Sequence, residues 1–290
     1  MLTERVLAWR ATGGMEAVAG RQLFVRRQDG EGVPWLLLHG FPSSAYDWRR
    51  LLELRPEQAA IAFDCLGFGL SEKPKDVQYT IAWQADAAET LVKRGRHDRV
   101  FVVAHDMGTS VATELMARDL EGTLSIGLAG VLLFNGSILL HRANPTAGQR
   151  LLRTRLGPLF ARLNTERTFT AQFGRIFSDL QPLRPEEAAD QWSLLAEADG
   201  HRRLPQTIAY MAERERYTER WHGAVRDWPG PLSLVWGLDD PVATPYVLAG
   251  LRELRPHVPV TELPGVGHYP QLEVPERLAE VISAAAASVS

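Results

Sequence analysis

The stretch Arg99-Val-Phe-Val-Val-Ala-His-Asp-Met-Gly108 decides how the chain is organised. Its apolar first half predicts a buried strand, and Thr109 to Leu120 predicts a helix directly after it. Ala104 and Gly108 are small, as a sharp turn requires where the strand and helix backbones nearly touch. Asp106 then stands either at the tip of such a turn, where a nucleophile is displayed, or as an ordinary helix cap. The stretch alone leaves both interpretations open.

The composition is that of an ordinary globular protein. The chain has 290 residues and a formal net charge of −3, which gives no reason to expect nucleic acid or an anionic membrane as partner. Cys65 is its single cysteine, so no intrachain disulfide is expected, which fits a reducing compartment. No apolar run approaches the ~20 residues of a membrane span, and Met1 to Arg10 lacks a signal peptide's apolar core. We therefore expect a cytoplasmic protein, monomeric or homodimeric, without a membrane span.

Strand and helix patterns alternate on both sides of the Asp106 turn. Residues Met15 to Gln28 predict one or two antiparallel strands, whereas the later strands are continuous apolar runs, typical of a parallel sheet covered on both faces. The further predicted strands are Pro34 to Gly40, Ala59 to Phe63, Ser125 to Phe134, Leu232 to Trp236 and Val258 to Leu263. The predicted helices include Thr80 to Arg94, Thr244 to Leu254 and Pro275 to Ala287.

The alternation stops between Ser137 and about Asp227. This stretch contains no convincing buried strand, and its helical patterns are punctuated by Pro145, Pro158, Pro182, Pro185 and Pro205. We interpret residues 138–227 as a helical cap inserted after the sixth strand. The α/β core then consists of residues 1–137 and 228–290.

Two polar loops follow predicted strands in the second half of the chain. One contains Asp239, Asp240 and Pro241, and the other contains His268. The carboxyl ends of parallel strands meet at one edge of the sheet, where ligands bind in such folds. Asp106, Asp240 and His268 would thus follow the chain order nucleophile, acid, histidine. Asp240 is the better acid than Asp239, because Pro241 fixes the chain directly after it.

The loop His39-Gly-Phe-Pro42 supplies a fourth component of the candidate site. It follows the first parallel strand, so its backbone can turn an N–H group toward Asp106. We expect the backbone N–H groups of Phe41 and Met107 to form an oxyanion hole. The other interpretation of this loop is a plain tight turn.

Four motifs along the chain belong together. They are Leu36-Leu-Leu-His-Gly-Phe-Pro-Ser-Ser-Ala-Tyr-Asp-Trp48, Asp64-Cys-Leu-Gly-Phe-Gly-Leu-Ser-Glu-Lys-Pro74, Ala104-His-Asp-Met-Gly108 and Gly267-His-Tyr-Pro-Gln-Leu-Glu-Val-Pro275. Together they resemble α/β hydrolases of the epoxide hydrolase and haloalkane dehalogenase branch. The resemblance is strongest to the subgroup of the mesoderm-specific transcript protein and its bacterial relatives, which Asn135-Gly136 and the stretch from Tyr210 to Trp221 also match. It implies an α/β-hydrolase fold, with a mostly parallel sheet and a helical cap, and an Asp nucleophile.

A carboxylate nucleophile restricts the chemistry. Attack on an ester would give a mixed anhydride, a poor intermediate, whereas attack on saturated carbon forms an alkyl-enzyme ester. His268, oriented by Asp240, would then deprotonate the water that hydrolyses this ester. No pair of histidines has metal-ligand spacing supported by neighbouring acids, so we expect neither a metal nor a cofactor.

The leaving group separates the possible reactions. The resembled dehalogenases hold the halide with side-chain N–H groups, but this chain has Met107 and Phe41 at those positions. An epoxide hydrolase needs an acid for the ring oxygen, and the resemblance puts that tyrosine at Tyr210. Tyr217, seven residues on, is expected on the same helical face and could assist. Both tyrosines could instead pack the cap against the core, and Trp192 could either line the pocket or fill the cap.

Three functions follow as alternatives. The first is an epoxide hydrolase-like enzyme acting on a small apolar molecule. The second is a haloalkane dehalogenase-like hydrolase with an atypical halide site. The third is a ligand-binding or regulatory relative with little turnover. The complete set of Asp106, Asp240 and His268 argues against the third, because a pure binder does not need all three.

Overall fold

The computed structural model describes residues 1–289, and eight strands in this range form one sheet. The strands are β1 (Gly14–Val18), β2 (Arg21–Gln28), β3 (Glu31–Leu38), β4 (Gln58–Phe63), β5 (Arg99–His105), β6 (Gly127–Phe134), β7 (Leu232–Gly237) and β8 (Val260–Leu263). Their spatial order is β1-β2-β4-β3-β5-β6-β7-β8. The pairs β1–β2 and β2–β4 are antiparallel, and all other neighbours are parallel. The predicted mostly parallel sheet is confirmed.

Helices cover the sheet and fill the long interval between β6 and β7. The α-helices of the described range are α1 (Glu4–Arg10), α2 (Arg49–Leu54), α3 (Ile81–Arg94), α4 (Met107–Leu120), α5 (Ala147–Leu152), α6 (Gly157–Arg162), α7 (Glu166–Phe173), α8 (Pro185–Ala196), α9 (Leu204–Thr207), α10 (Tyr210–Arg216), α11 (Thr218–Asp227), α12 (Pro245–Leu254), α13 (Pro270–Glu273) and α14 (Pro275–Ala287). Short 3-10 helices precede α2, follow β6 and lie beside α7 and α9.

Both faces of the sheet are packed with apolar side chains. Along β3 these alternate, with Leu36 and Leu38 in one cluster and Trp35 and Leu37 in the other. Because both sides of the strand are buried, the sequence shows a continuous apolar run and no period of two. Burying each such side chain contributes roughly 1.5–3 kcal/mol. The central strands therefore form a rigid base for the loops at their ends.

Five loops meet at the carboxyl edge of the sheet. The parallel register brings neighbouring strand ends side by side, so that Leu38 pairs with Ala104, and His105 with Phe134. The loops after β3, β5, β6, β7 and β8 carry Phe41, Asp106, Asn135, Asp240 and His268, respectively.

The segment between β6 and β7, called here the helical insertion, contains α5 to α11, as the proline-punctuated pattern predicts. Its last two helices, α10 and α11, pack against α4, which follows Asp106. The division into a cap of residues 138–227 and a core of residues 1–137 and 228–290 stays a prediction, and Ser290 lies outside the described residues. Across residues 1–289, no helix has both the length and the apolar character needed to cross a membrane.

Candidate active site

Asp106 occupies a sharp turn between β5 and α4. Its backbone has φ 43° and ψ −108°, a positive-φ conformation that a residue with a side chain adopts only when its surroundings enforce it. The N–H and hydroxyl groups of Thr109 donate to the Asp106 carbonyl at 3.1 and 2.5 Å. A Cβ on Gly108 would lie 2.3 Å from the Leu38 carbonyl oxygen, so this contact requires glycine. The Asp106 side chain makes no cap hydrogen bond to α4, and the helix-cap interpretation is therefore wrong.

The Asp106 carboxylate is buried and held from the loop after β3. Phe41 donates its backbone N–H to Asp106 Oδ2 at 2.9 Å. The loop approaches closely, since a Cβ on Gly40 would lie 2.8 Å from the Asp106 Cβ. Among the hydrogen bonds of residues 1–289, none joins the Met107 N–H to this carboxylate. Of the two expected oxyanion donors, Phe41 is thus the one directed at Asp106 in this structure.

Asp240, not Asp239, contacts His268. Asp240 Oδ2 accepts a hydrogen bond from His268 Nδ1 at 2.7 Å, whereas Asp239 is exposed. The other carboxylate oxygen, Oδ1, accepts the backbone N–H groups of Val242 at 2.7 Å and Ala243 at 3.0 Å. These bonds fix the carboxylate, so the imidazole presents Nε2 as its free nitrogen.

Neighbouring carboxylates raise the pKa of His268. Burial alone would lower the pKa of the imidazole, but hydrogen-bonded Asp240 raises it, and the charge of Asp106 raises it further. The net result is a pKa above the ordinary value of 6.5. His268 thus lies in the field of both the candidate nucleophile and the candidate acid, as a base that bridges them must.

Asn135 supports the acid and was given no role from the sequence. Its Nδ2 donates to Asp240 Oδ2 at 2.7 Å, and its Oδ1 accepts the Gly237 N–H at 3.0 Å. Its backbone has φ 44°, a conformation that asparagine tolerates better than most residues. The signal was present, since a polar residue followed by Gly136 ends an apolar strand, but the partner of its side chain could not be inferred.

His105 positions the backbone beneath His268. Its Nε2 donates to the His268 carbonyl oxygen at 2.7 Å, and its Nδ1 accepts from Gln271 Nε2 at 3.1 Å. Burial, with a smaller contribution from the charge of His268, holds the pKa of His105 well below 6.5. His105 therefore holds the His268 backbone through hydrogen bonds.

Arg214 of α10 reaches the turn from the helical insertion. Its Nη2 donates to the backbone carbonyl of Asp106 at 2.8 Å and lies 3.9 Å from Asp106 Oδ1. Its Nε donates to Ser110 Oγ at 2.8 Å. Nη1 is buried without a hydrogen-bond partner in the described part of the chain. Sequence reasoning missed Arg214, because it lies 108 positions from Asp106 in a run where arginine and glutamate alternate.

Tyr210 packs against Phe41 and Arg214, the two residues that contact Asp106 from the β3 loop and from α10. Its ring is buried, 5.8 Å from the ring of Phe41 and 4.7 Å below the guanidinium carbon of Arg214. Burial raises the pKa of the phenol, and the Asp106 charge raises it further. The hydroxyl forms no hydrogen bond to any other residue between 1 and 289. The phenol is therefore neutral, and its proton is not committed to another residue of the described range.

Tyr217 and Trp192 are not brought to the three predicted catalytic residues. The expectation that Tyr217 shares a helical face with Tyr210 is wrong, because α10 ends and α11 begins at Tyr217, whose φ of −105° and ψ of 24° interrupt the helix. Tyr217 lines a separate surface groove with Tyr79 and packs on Trp221. Trp192 lies behind Phe169, at 5.8 Å between ring centres, and does not line the cavity next to His268.

A small cavity lies between the carboxyl edge and the helical insertion. Its volume is about 80 Å³; His268 and Phe41 line it from the core side, and Leu152, Phe160 and Phe173 from the insertion. That volume equals about three water molecules at about 30 Å³ each. A larger cavity of about 620 Å³ lies at the opposite edge, under α14, and contacts none of the predicted catalytic residues. The smaller cavity is the candidate substrate site because His268 and Phe41 line it.

A mostly parallel sheet with this sharp turn at a strand end, and with an acid and a histidine on later loops, defines the class of α/β hydrolases. The chain belongs to the alpha/beta hydrolase family, whose model matches residues 35–281.

Several proteins of known sequence or structure are similar to this chain. LipZ of Mycobacterium tuberculosis is 51% identical over 280 residues, which cover 97% of each chain. The mesoderm-specific transcript protein of the mouse is 32% identical and covers 94% of this chain and 85% of its own length. The haloalkane dehalogenase DbeA of Bradyrhizobium elkani USDA94 shares the fold, with a TM-score of 0.78 and 24% identity over 95% of this chain and 99% of DbeA. The resemblance to the epoxide hydrolase and haloalkane dehalogenase branch is confirmed.

Proposed function

We propose that the protein is a cofactor-free hydrolase in which Asp106 attacks a saturated carbon, with epoxide hydrolase-like activity on a small apolar molecule. The observation that carries this proposal is the hydrogen bonding of the Asp106 carboxylate. Oδ2 is held by the Phe41 N–H, and Tyr210, whose ring packs on Phe41, has a hydroxyl without a hydrogen-bond partner in residues 1–289. A carboxylate held by one oxygen keeps the other for attack. The helical insertion acts as the cap over the reacting carbon.

In the first step, Asp106 Oδ1 attacks a ring carbon of the epoxide. The carbon–oxygen bond of the ring breaks, and the electron pair of that bond goes to the ring oxygen, which takes the proton of Tyr210. The charge of Asp106 raises the pKa of Tyr210 before reaction. As the carboxylate becomes an ester, this charge is lost, so Tyr210 becomes a stronger acid when the ring oxygen needs the proton.

In the second step, His268 Nε2 removes a proton from water, and the hydroxide attacks the carbonyl carbon of the Asp106 ester. The oxyanion develops on Oδ2, where the Phe41 N–H already donates. The Met107 N–H is the second donor in this proposal. Asp240 stabilises the protonated imidazole. Collapse breaks the ester bond to the product oxygen, which takes the proton of the newly added hydroxyl, so the diol leaves and Asp106 is again a carboxylate that carries the oxygen of the water. The proton on His268 then returns through solvent to the Tyr210 phenolate, and both groups are restored.

If the substrate were a haloalkane, the departing halide would need N–H donors at the site. Met107 and Phe41 offer no side-chain N–H, but Arg214 Nη1 is a buried N–H group without a partner in the described part of the chain. This is the one observation that favours a dehalogenase as second candidate, in which the N–H of Arg214 receives the departing halide. Cytoplasmic location and the monomeric or homodimeric state stay predictions from the sequence.

A single turnover of styrene oxide in heavy-oxygen water tests the covalent mechanism. We expect mass spectrometry to find label in the peptide that contains Asp106, and the His268→Gln variant to accumulate that peptide with one substrate attached. Asp239→Asn is the matched control and should keep full labelling, because Asp239 is exposed and has no part in the reaction. Label found in the diol alone would exclude the alkyl-enzyme ester.

The same preparation separates the alternatives. Bromide release from 1,2-dibromoethane without epoxide turnover would assign the dehalogenase function. Ligand binding without turnover of either substrate would assign the low-turnover function. Cleavage of nitrophenyl acetate that survives Asp106→Ala would contradict the assignment of Asp106 as nucleophile.

A further inference from the structure

Helix α6 exposes a row of leucines. Nine large apolar side chains are exposed in residues 1–289, and three of them, Leu156, Leu159 and Leu163, lie within eight consecutive positions. Their exposed fractions are 61%, 56% and 66%. The backbone stays helical from Leu156 to Leu163, because the residues that flank α6 also have right-handed helical dihedrals. The spacing i, i+3, i+7 therefore puts all three on one face.

The opposite face of α6 belongs to the candidate substrate site. Phe160 and Asn164 line the cavity next to His268, and Ala161 is fully buried. The leucine row is therefore separated from the cavity by the thickness of one helix, about 10 Å. A contiguous apolar surface of this kind marks an interaction site better than scattered single leucines do.

Exposed arginines flank the leucine row along the chain. Arg150, Arg155, Arg162 and Arg167 are exposed and form no ion pair within the described residues. Arg153 pairs with Glu215 at 2.7 Å, and Glu166 is the single acid between residues 150 and 167. The neighbouring 3-10 helix Glu197–Arg203 carries two acids and two arginines, so it leaves the excess unchanged. The formal net charge of −3 for the whole chain thus conceals a strongly basic segment.

We propose that the face formed by Leu156, Leu159, Leu163 and the flanking arginines docks on an anionic lipid surface. Leucines insert among the acyl chains of an interfacial site while arginines contact the headgroups. Helix α6 and the segments that flank it expose both kinds of side chain. Nucleic acid would use the arginines but leave the leucines in water. A partly apolar patch this small supports reversible attachment, which weakens when salt screens the headgroups.

The position of this face suits the transfer of an apolar substrate from the lipid to the cavity next to His268. If the proposed function is correct, an apolar epoxide dissolved in the lipid is one helix away from the cavity next to His268 and need not cross water. This role rests on the proposed function, but the attachment itself does not. Vesicle binding requires no turnover, so a failure of one proposal is distinguishable from a failure of the other.

Sedimentation of the full chain with vesicles tests the attachment. We expect it to sediment with vesicles of phosphatidylglycerol and phosphatidylcholine, not with phosphatidylcholine alone, and to be released by high salt. The double variant Leu159→Ser, Leu163→Ser should weaken binding about tenfold or more, and Arg155→Glu, Arg162→Glu likewise. The double variant Leu7→Ser, Leu120→Ser is the control for the leucine variant, because it changes two exposed leucines elsewhere. The double variant Lys93→Glu, Arg99→Glu is the control for the arginine variant, because it changes two exposed basic residues elsewhere and lowers the net charge by the same amount.

Three results would overturn the proposal. The first is absence of binding to the anionic vesicles. The second is equal binding by the leucine variant and its control, with thermal melting showing both to be folded. The third is a dimer in sedimentation equilibrium that dissociates in the Leu159→Ser, Leu163→Ser variant without any vesicle binding. That result would assign the leucine row to a second copy of the chain.

Discussion

Arg214 Nη2 lies 2.8 Å from the backbone carbonyl oxygen of Asp106, so the helical insertion holds the turn that displays the candidate nucleophile. The same guanidinium lies 3.9 Å from the Asp106 carboxylate, and both side chains are buried. A buried carboxylate without a nearby positive charge is costly, since its hydration is lost. The helical insertion therefore contributes charge to the site as well as a cover.

This contact predicts a coupling between Arg214 and Asp106 in stability. We expect Arg214→Met to lower the free energy of unfolding by about 3 kcal/mol, because it leaves the buried Asp106 charge uncompensated. In an Asp106→Asn background the same substitution should cost about 1–3 kcal/mol less. Urea unfolding of the four proteins measures the difference. Equal losses in both backgrounds would show that Arg214 acts through its bonds to the backbone and Ser110 alone.

The raised pKa of His268 sets the direction of the pH dependence. His268 must be neutral to deprotonate water, so hydrolysis of the Asp106 ester should increase as pH rises. Because the ester has lost the Asp106 charge, this increase should lie at lower pH than the raised pKa of His268 in the free enzyme. Asp240→Asn removes the carboxylate that raises this pKa, and the rise should move to lower pH while the maximal rate falls. For stability the sign is opposite: protonated His268 stabilises the folded state below about pH 6.5, and this contribution is lost as pH rises through the folded-state pKa.

Single-turnover rates against pH measure the first effect, and thermal melting against pH measures the second. Asp239→Asn is the control for the removal of one negative charge, because Asp239 is exposed and does not contact His268. A profile that is unchanged in Asp240→Asn would exclude Asp240 as the partner of the base.

Tyr210 and Tyr217 should differ in their effect on ring opening. In a His268→Gln background, Tyr210→Phe is expected to slow formation of the Asp106 ester about 10²–10⁴-fold, because the ring oxygen loses its proton donor. Tyr217→Phe should leave the rate unchanged, since Tyr217 lines a separate groove. Rapid quenching followed by mass spectrometry measures both. Equal rates for Tyr210→Phe and its parent would transfer the acid role to another group.

The turn at Asp106 should tolerate no side chain at Gly108. A Cβ there would meet the Leu38 carbonyl oxygen at 2.3 Å, so Gly108→Ala should destabilise the fold by about 1–3 kcal/mol or more and abolish turnover. Gly14→Ala is the matched control, because nothing lies within 4 Å of its Cβ position. The melting temperatures of the two variants measure the contrast. A Gly108→Ala protein as stable as Gly14→Ala would mean that β3 and α4 can move apart.

Local patterns in the sequence were sufficient to predict the parallel strands and the turn at Asp106. Continuous apolar runs identified the parallel strands, and small residues around Asp106 identified the turn. The order of Asp106, Asp240 and His268 along the chain then predicted which strand ends carry them. These inferences succeed because a strand buried on both sides must be apolar, and a close strand–helix contact must lack side chains.

The contacts between distant side chains were decided by the tertiary structure. Arg214 meets Asp106 because α10 packs against α4, and no neighbouring residue of Arg214 indicates that contact. Tyr217 points elsewhere because the helix breaks at its own position, which its spacing from Tyr210 does not reveal. The sequence by itself therefore determined the fold and the order of the candidate catalytic residues. Only the packing of the helical insertion on the sheet decided which of its residues surround Asp106, because that packing depends on the shapes of surfaces far apart in the chain.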